Sequence, residues 1–264
     1  MIVMAHLKRY AMPKSWPLAR KKETWVVRPM PGAHALGRSI PLQIVLREIL
    51  GVAETSKEAK SILNAGKIMV DKKVRKEPKF PVGLMDVIEI PETKKYLRII
   101  PGERRLEFEN ISAEESNAKL CRIQGKTVLK GGLHQLNLHD GRNVIIGKKS
   151  AYKCGDSLVI EIPNQRIVKH YAFEKGSPAF IIAGRNMGTE GTIKKIKRKK
   201  SMLEKSVVIM ESKGKEIVTL IEYVFPGTVK TGMKVKPTAT KPVKETKKPA
   251  KPKKPAAKPK GGKK

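Results

Sequence analysis

The chain has 264 residues and a formal net charge of +33, from 57 Lys and Arg against 24 Asp and Glu. Self-repulsion on that scale argues against an isolated enzyme and for a polyanionic partner, while 39% hydrophobic residues exclude a wholly disordered chain. No run approaches the ~18–20 apolar residues of a membrane helix, the start lacks a secretory leader pattern, and Cys121 and Cys154 form neither a disulfide framework nor a zinc spacing. The expectation is a cytoplasmic chain with no membrane partner.

Residues 1–40 interleave Trp16, Trp25, Pro13, Pro17, Pro29 and Pro31 with Lys8, Arg9, Lys14, Arg20, Lys21, Lys22 and Arg38. Neither a helical nor a strand period runs through them, which predicts an extended basic arm. Trp and Arg in such an arm can stack on unpaired bases. They can equally cover a local core, and composition does not separate the two.

Residues 41–94 are the most regular. Pro41 suits a first helical position, and Ile44, Val45, Leu46, Ile49 and Leu50 give an amphipathic helix ended by Gly51. Thr55-Ser56-Lys57-Glu58 reads as a capping box opening a second helix, with Ala59, Ile62 and Leu63 inward and Gly66 as the stop. Lys57, Lys60 and Lys67 stay outside. Lys67-Ile68-Met69-Val70 predicts a short strand, Asp71-Lys72-Lys73 a turn with Arg75 beyond it, and Asp86-Val87-Ile88-Glu89-Ile90 a further strand. This helix–helix–sheet pattern resembles the S4-type RNA-binding domain. One departure is Lys72, where that family often carries Gly. If the turn needs φ > 0, Lys72 is strained there, and the gain would be a cation presented to phosphate.

Residues 95–170 read as short strands between Gly, Asp and Pro turns, a β-rich central domain. Within it, Ser112 to Asn117 has helical character. His139-Asp140-Gly141 and Cys154-Gly155-Asp156 have turn composition, so Asp140 and Asp156 are read as turn formers. Residues 171–229 continue as strands. Gly184-Arg185-Asn186-Met187-Gly188-Thr189-Glu190-Gly191-Thr192-Ile193 lies between two of them, so no helix opens after it and a dinucleotide loop is excluded. The stretch resembles the KOW motif, which implies an SH3-like barrel whose glycine loop meets RNA or a protein neighbour. Gly188 and Gly191 would allow close backbone approach. The run Lys194, Lys195, Lys197, Arg198, Lys199 and Lys200 follows. Residues 230–264 hold 14 Lys, six Pro and one Glu, without Leu, Ile or aromatics, and are expected to be a disordered polycationic tail.

The arm pattern His6-x-Lys8-Arg9-x-Ala11-x-Pro13-x-x-Trp16-x-Leu18-x-Arg20 resembles the signature of the small-subunit ribosomal protein S4e family. The stretches Gly83-Leu84-Met85-Asp86-Val87-Ile88 and His139-Asp140-Gly141-Arg142 resemble it too, over about residues 5–225. The resemblance implies a structural, non-catalytic protein of the small ribosomal subunit. Its partners would be small-subunit ribosomal RNA, in the 5′ domain, and neighbouring ribosomal proteins. The expected fold class is α+β, mostly β: a small αα-plus-sheet module, a β-rich centre and a KOW barrel. Candidate RNA-binding residues are Lys8, Arg9, Lys14, Trp16, Arg20, Lys21, Lys22, Arg38, Lys57, Lys60, Lys67, Lys72, Lys73, Arg75, Arg142, Arg185 and Asn186, with the basic run that follows.

The alternative is an RNA-modifying enzyme or accessory factor built on an S4-type domain. No second module able to carry catalysis is recognisable, and neither a Walker loop nor a His/Cys metal spacing occurs. His134 and His139 are read as structural. No cofactor, metal or small-molecule substrate is expected. A general polyanion binder would need only the tail, not the ordered modules.

Overall fold

The computed structural model describes residues 6–147, 151–198 and 205–228. In chain order the strands are β1 Leu7–Lys8, β2 Trp25–Val26, β3 Ser39–Pro41, β4 Met69–Val70, β5 Lys73–Val74, β6 Pro81–Gly83, β7 Val87–Ile90, β8 Lys95–Pro101 and β9 Leu106–Asn110. They continue as β10 Ala118–Val128, β11 His134–Leu138, β12 Asn143–Ile146, β13 Ser157–Glu161, β14 Ile167–Tyr171, β15 Pro178–Ile181, β16 Glu190–Lys197, β17 Val207–Ser212, β18 Lys215–Leu220 and β19 Val224–Pro226. Two helical segments lie between β3 and β4. The first, α1 Leu42–Ile44, runs on as a wider π-type turn over Val45–Ile49. The second is α2, Ser56–Asn64.

The capping box forms as its residues dictate. Thr55 Oγ1 accepts the Glu58 N–H at 3.2 Å, and the Glu58 carboxylate turns back to the Glu54 N–H at 3.0 Å. Gly66, at φ 75°, ends the helix. Ala59 and Leu63 are buried while Lys57 and Lys60 face water, so α2 presents an apolar stripe to the sheet and a basic one outward.

Three antiparallel five-stranded sheets follow one another: β5-β4-β7-β8-β9, then β12-β11-β10-β13-β14, then β18-β17-β16-β15-β19. Strands 95–110, expected in the central domain, instead complete the sheet of the helical module. The cause is local: Pro91–Thr93 makes a turn, Lys94 adopts φ 51°, and β8 returns along β7 with Leu97 and Ile99 facing the module core. The helical character at 112–117 reduces to one short turn at Glu115–Asn117.

The arm packs on the body. Leu7 and Lys8 pair with Val26 and Trp25, and Met12, Trp16, Leu18 and Val26 are buried in the same apolar cluster as Ile40, Leu42 and Leu46. That cluster continues through Leu106 and Leu120 to Phe180, Met187 and Phe225, so one core joins all three sheets. The tail at 230–264 lies outside the described residues.

Candidate nucleic-acid interface

The exposed cations that the sequence singled out fall in three groups. On the helical module, Lys57 and Lys60 are exposed on α2 and Lys73 at the start of β5. Beside them an open groove is lined by Gln43, Lys60, Arg75, Lys76, Lys79 and Phe80. The Arg75 guanidinium lies 4.4 Å from the Phe80 ring centroid, which holds it flat over an aromatic face. Lys76 and Lys79 escaped sequence reading, although they extend the run Lys72-Lys73-x-Arg75. On the arm, Lys8, Lys14, Lys21, Lys22 and Arg38 are exposed. On the third sheet, Lys195 and Lys197 of β16, Arg198 after it and Arg185 of the glycine loop are exposed. A bulge between Ile193 and Lys195 turns two successive lysines, Lys194 and Lys195, to the same side.

Several residues expected to meet RNA are committed elsewhere. Arg9 is 1% exposed, and its guanidinium donates to Glu48 at 2.6 Å and to the Ala19 carbonyl at 2.6 Å. Hydrogen bonding to Glu48 raises its pKa, and the charge is spent inside the fold. Trp16 is equally buried and donates its indole N–H to the Ser39 carbonyl at 2.7 Å, so it covers a core. Trp25, 55% exposed with His6 edge-on at 5.9 Å, and Tyr10, 78% exposed, are the accessible rings of the arm. Arg20 donates to the carbonyls of Tyr10 and Met12. The β4–β5 turn does require positive φ at Lys72, which has φ 62°. The cation is not presented to solvent, however, since its ammonium lies 2.7 Å from Ser116 Oγ and 2.9 Å from Glu89. Lys67 pairs with Glu92, and Lys194 with Glu216. Asn186 is partly buried. Lys199 and Lys200 lie outside the described residues.

Arg142 belongs to a buried ionic cluster. The Lys119 side chain has no exposed surface, and its Nζ lies 2.7 Å from Asp71, 2.6 Å from Asp86 and 3.0 Å from Asp140. Arg142 bridges Asp71 and Asp140 at 2.8 and 3.1 Å. The His34 ring Nε2 lies 2.9 Å from Asp86, and the Gly83 N–H donates to the same carboxylate. Asp71 accepts the Val87 N–H at 3.0 Å. Asp140 is therefore more than a turn former. Burial alone would depress the Lys119 ammonium, but three carboxylates outweigh it and hold its pKa well above the ordinary lysine value. Burial works against the charged form of Asp86 too, yet Lys119 and His34 keep that carboxyl far below its usual range. The cluster joins arm, helical module and central sheet, and it consumes charge that the sequence offered to a ligand.

Cys121, His139 and Asp140 approach one another closely enough to suggest a metal site. The donor chemistry does not fit one. Both ring nitrogens of His139 are engaged, Nδ1 accepting the Arg122 N–H and Nε2 facing the Leu84 carbonyl, so the ring has no lone pair to offer; burial and the Lys119 charge push its pKa down to about 4 and keep it neutral. Burial holds the Cys121 thiol protonated. Lys119 already supplies the cation at Asp140.

Glycine settles the join of the third sheet. A Cβ on Gly188, at φ 85°, would stand 2.7 Å from the Gly102 carbonyl carbon. Only a glycine lets this loop back onto the β8–β9 turn. Arg122 completes the join by donating to the carbonyls of Ile221 and Glu222.

Comparison with known proteins gives a consistent result. A model described as ribosomal family S4e matches residues 93–167, an RS4NT (NUC023) domain matches residues 4–37, and an S4 domain matches residues 40–88. The small ribosomal subunit protein eS4 of Methanothermobacter thermautotrophicus is 44% identical over 229 residues, 85% of this chain and 94% of the relative. The eS4 protein of Methanocaldococcus jannaschii is 42% identical over 227 residues, 83% of this chain and 92% of the relative. The crystal structure of 30S ribosomal protein S4e from Thermoplasma acidophilum superposes with TM-score 0.62 at 30% identity, covering 72% of this chain and 94% of that one.

Proposed function

We infer that this chain, which belongs to the ribosomal family S4e, is a structural constituent of the small ribosomal subunit and binds small-subunit ribosomal RNA. It works in the cytoplasmic ribosome as a scaffold, with neighbouring ribosomal proteins as further contacts. The observation that carries this reading is the S4-type module with Lys57 and Lys60 exposed on α2 and Lys73 exposed at the start of β5. Fixed cations of this kind neutralise phosphates and release counterions, while the shape of the module selects folded RNA.

The finer assignments rest on the same chemistry. The RNA-facing set is Lys8, Lys14, Lys21, Lys22, Arg38, Lys57, Lys60, Lys73, Arg75, Arg185, Lys195, Lys197 and Arg198, with Lys76 and Lys79 added. The third sheet acts as a KOW-type barrel, a reading supported by the glycine loop 184–191 between two of its strands. The RNA contacted lies in the 5′ domain. The enzymatic alternative is not favoured, because the relatives bear the name of a ribosomal constituent.

The test is reconstitution. Full-length protein incubated with small-subunit RNA forms a discrete complex, crosslinks from Lys57 and Lys73 fall in the 5′ domain, and no nucleotide is modified. A modified nucleotide, or a complex insensitive to salt, refutes the reading.

A further inference from the structure

The arm, the first sheet and the glycine loop of the third sheet enclose a cavity of about 500 Å³ that none of the contacts above explains. Its walls are fixed. The Ser15 carbonyl accepts the Leu106 N–H at 2.8 Å, Ser15 Oγ donates to the Gly37 carbonyl at 3.2 Å, and Gly188 stands against Gly102. Its floor is apolar, formed by Leu84, Leu106, Ile182 and Met187, of which three are less than 8% exposed. Its lining includes Lys14, Arg38 and Arg104 and no carboxylate, and these three side chains form no ion pair among the described residues. Arg104 is held at φ 68° in the β8–β9 turn, where its side chain is exposed.

We propose that this cavity receives one unstacked nucleotide of the small-subunit RNA, its base on Leu84, Leu106 and Met187 and its phosphate on Lys14, Arg38 and Arg104. The proposal rests on the RNA-binding reading above. The volume lies within the about 300–1,000 Å³ of sites that hold compact organic ligands. An apolar floor and unpaired cations lining one cavity match a nucleotide, whose planar base and anionic phosphate are joined through one sugar. Proteins that recognise single-stranded RNA stack splayed bases on aromatic rings or Arg guanidinium planes; here Arg38 and Arg104 offer such planes, and the Met187 thioether at the floor suits a π face.

The test uses the full chain and transcribed small-subunit RNA. In the wild-type complex one base is protected from dimethyl sulfate or carbodiimide. Ala183→Trp, which fills the cavity, lowers affinity about tenfold or more and re-exposes that base, and the salt slope becomes shallower by about one as the phosphate leaves. Arg104→Glu, at an exposed position, also removes the protection and lowers the salt slope. Equal affinity and the same protected base in a folded Ala183→Trp protein overturn the proposal. If that variant does not fold, unaltered protection with Arg104→Glu overturns it instead. Normal RNA binding by Ala183→Trp with failed joining of other small-subunit proteins means that a neighbour's apolar side chain fills the cavity, and this also overturns it. A wild-type chain that ignores this RNA overturns the RNA-binding reading together with the pocket. A wild-type chain that binds as tightly as Ala183→Trp overturns the pocket alone.

Discussion

The Nζ of Lys119 stands 2.6 Å from Oδ1 of Asp86, although Lys119 belongs to β10 of the central sheet and Asp86 leads into β7 of the preceding one. A fully buried ammonium shared by three carboxylates is tolerable only while every partner is present. Lys119→Met is therefore expected to lower stability by about 3–5 kcal/mol, read by urea unfolding. An unchanged midpoint would refute this account of the domain join.

His139 gives the fold an acid-side slope. Its folded pKa, about 4, lies below the ordinary histidine value of about 6.5. Above about pH 6.5 the ring is neutral in both states and contributes no pH dependence. Between about 6.5 and 4 the unfolded chain takes up a proton that the folded chain refuses, so stability falls as pH falls. The loss is about 2–3 kcal/mol by pH 4 for a partly buried ring. Asp86 and Asp140, both held low, keep their contribution until still lower pH. Thermal midpoints across pH 4–7 check this, and His139→Asn flattens the profile in that window.

Removing arm cations produces two different outcomes. Arg9→Ala costs about 2–3 kcal/mol because it empties a buried site and leaves Glu48 with Arg47 alone and the Ala19 carbonyl without its donor, and Trp16→Ala costs about 3–5 kcal/mol through lost packing. Lys21→Ala and Lys22→Ala leave stability unchanged and weaken RNA binding. Parallel denaturation and filter-binding curves separate the two classes.

RNA affinity falls steeply with ionic strength. With about eight phosphates engaged, log K against log salt has a slope of roughly −6 to −7. Replacing Lys57, Lys60 and Lys73 together by Ala makes the slope shallower by about 2–3 while circular dichroism stays native. A slope that does not move would remove this face from the interface.

Gly188→Ala meets the Gly102 backbone and an unfavourable φ at once. It is expected to cost about 1–3 kcal/mol and to raise hydrogen exchange in the third sheet before the first. Gly37→Ala, with open space around it, is the control.

Local order was legible where a few neighbouring residues decide it. The Thr55–Glu58 cap, the stop at Gly66 and the tight turn at Asp71-Lys72 need only short-range chemistry, and all three form. The close approach expected at Gly188 is present too. What escaped depends on distant partners. Arg9 and Lys21 look alike in sequence, yet only Arg9 meets Glu48, 39 positions away. The stretches 83–88 and 139–142 stand out as family-like, but nothing local says that they meet through Lys119. Trp16 and Trp25 carry the same chemistry, and only folding decides that the first is covered and the second exposed.

The buried cluster also gives synthesis a direction. Asp71 and Asp86 leave the exit tunnel before Lys119 and Arg142 have been added to the chain, and domains generally fold as they emerge. A nascent segment ending near residue 111 holds the Asp71 carboxylate with no buried cation to meet it. The half-made protein therefore holds Asp71 and Asp86 without the ammonium that joins them, and arrival of the central sheet supplies it. Release of fragments ending at 111 and at 171, followed by urea unfolding of each, would reveal how far the first sheet waits for Lys119 to settle.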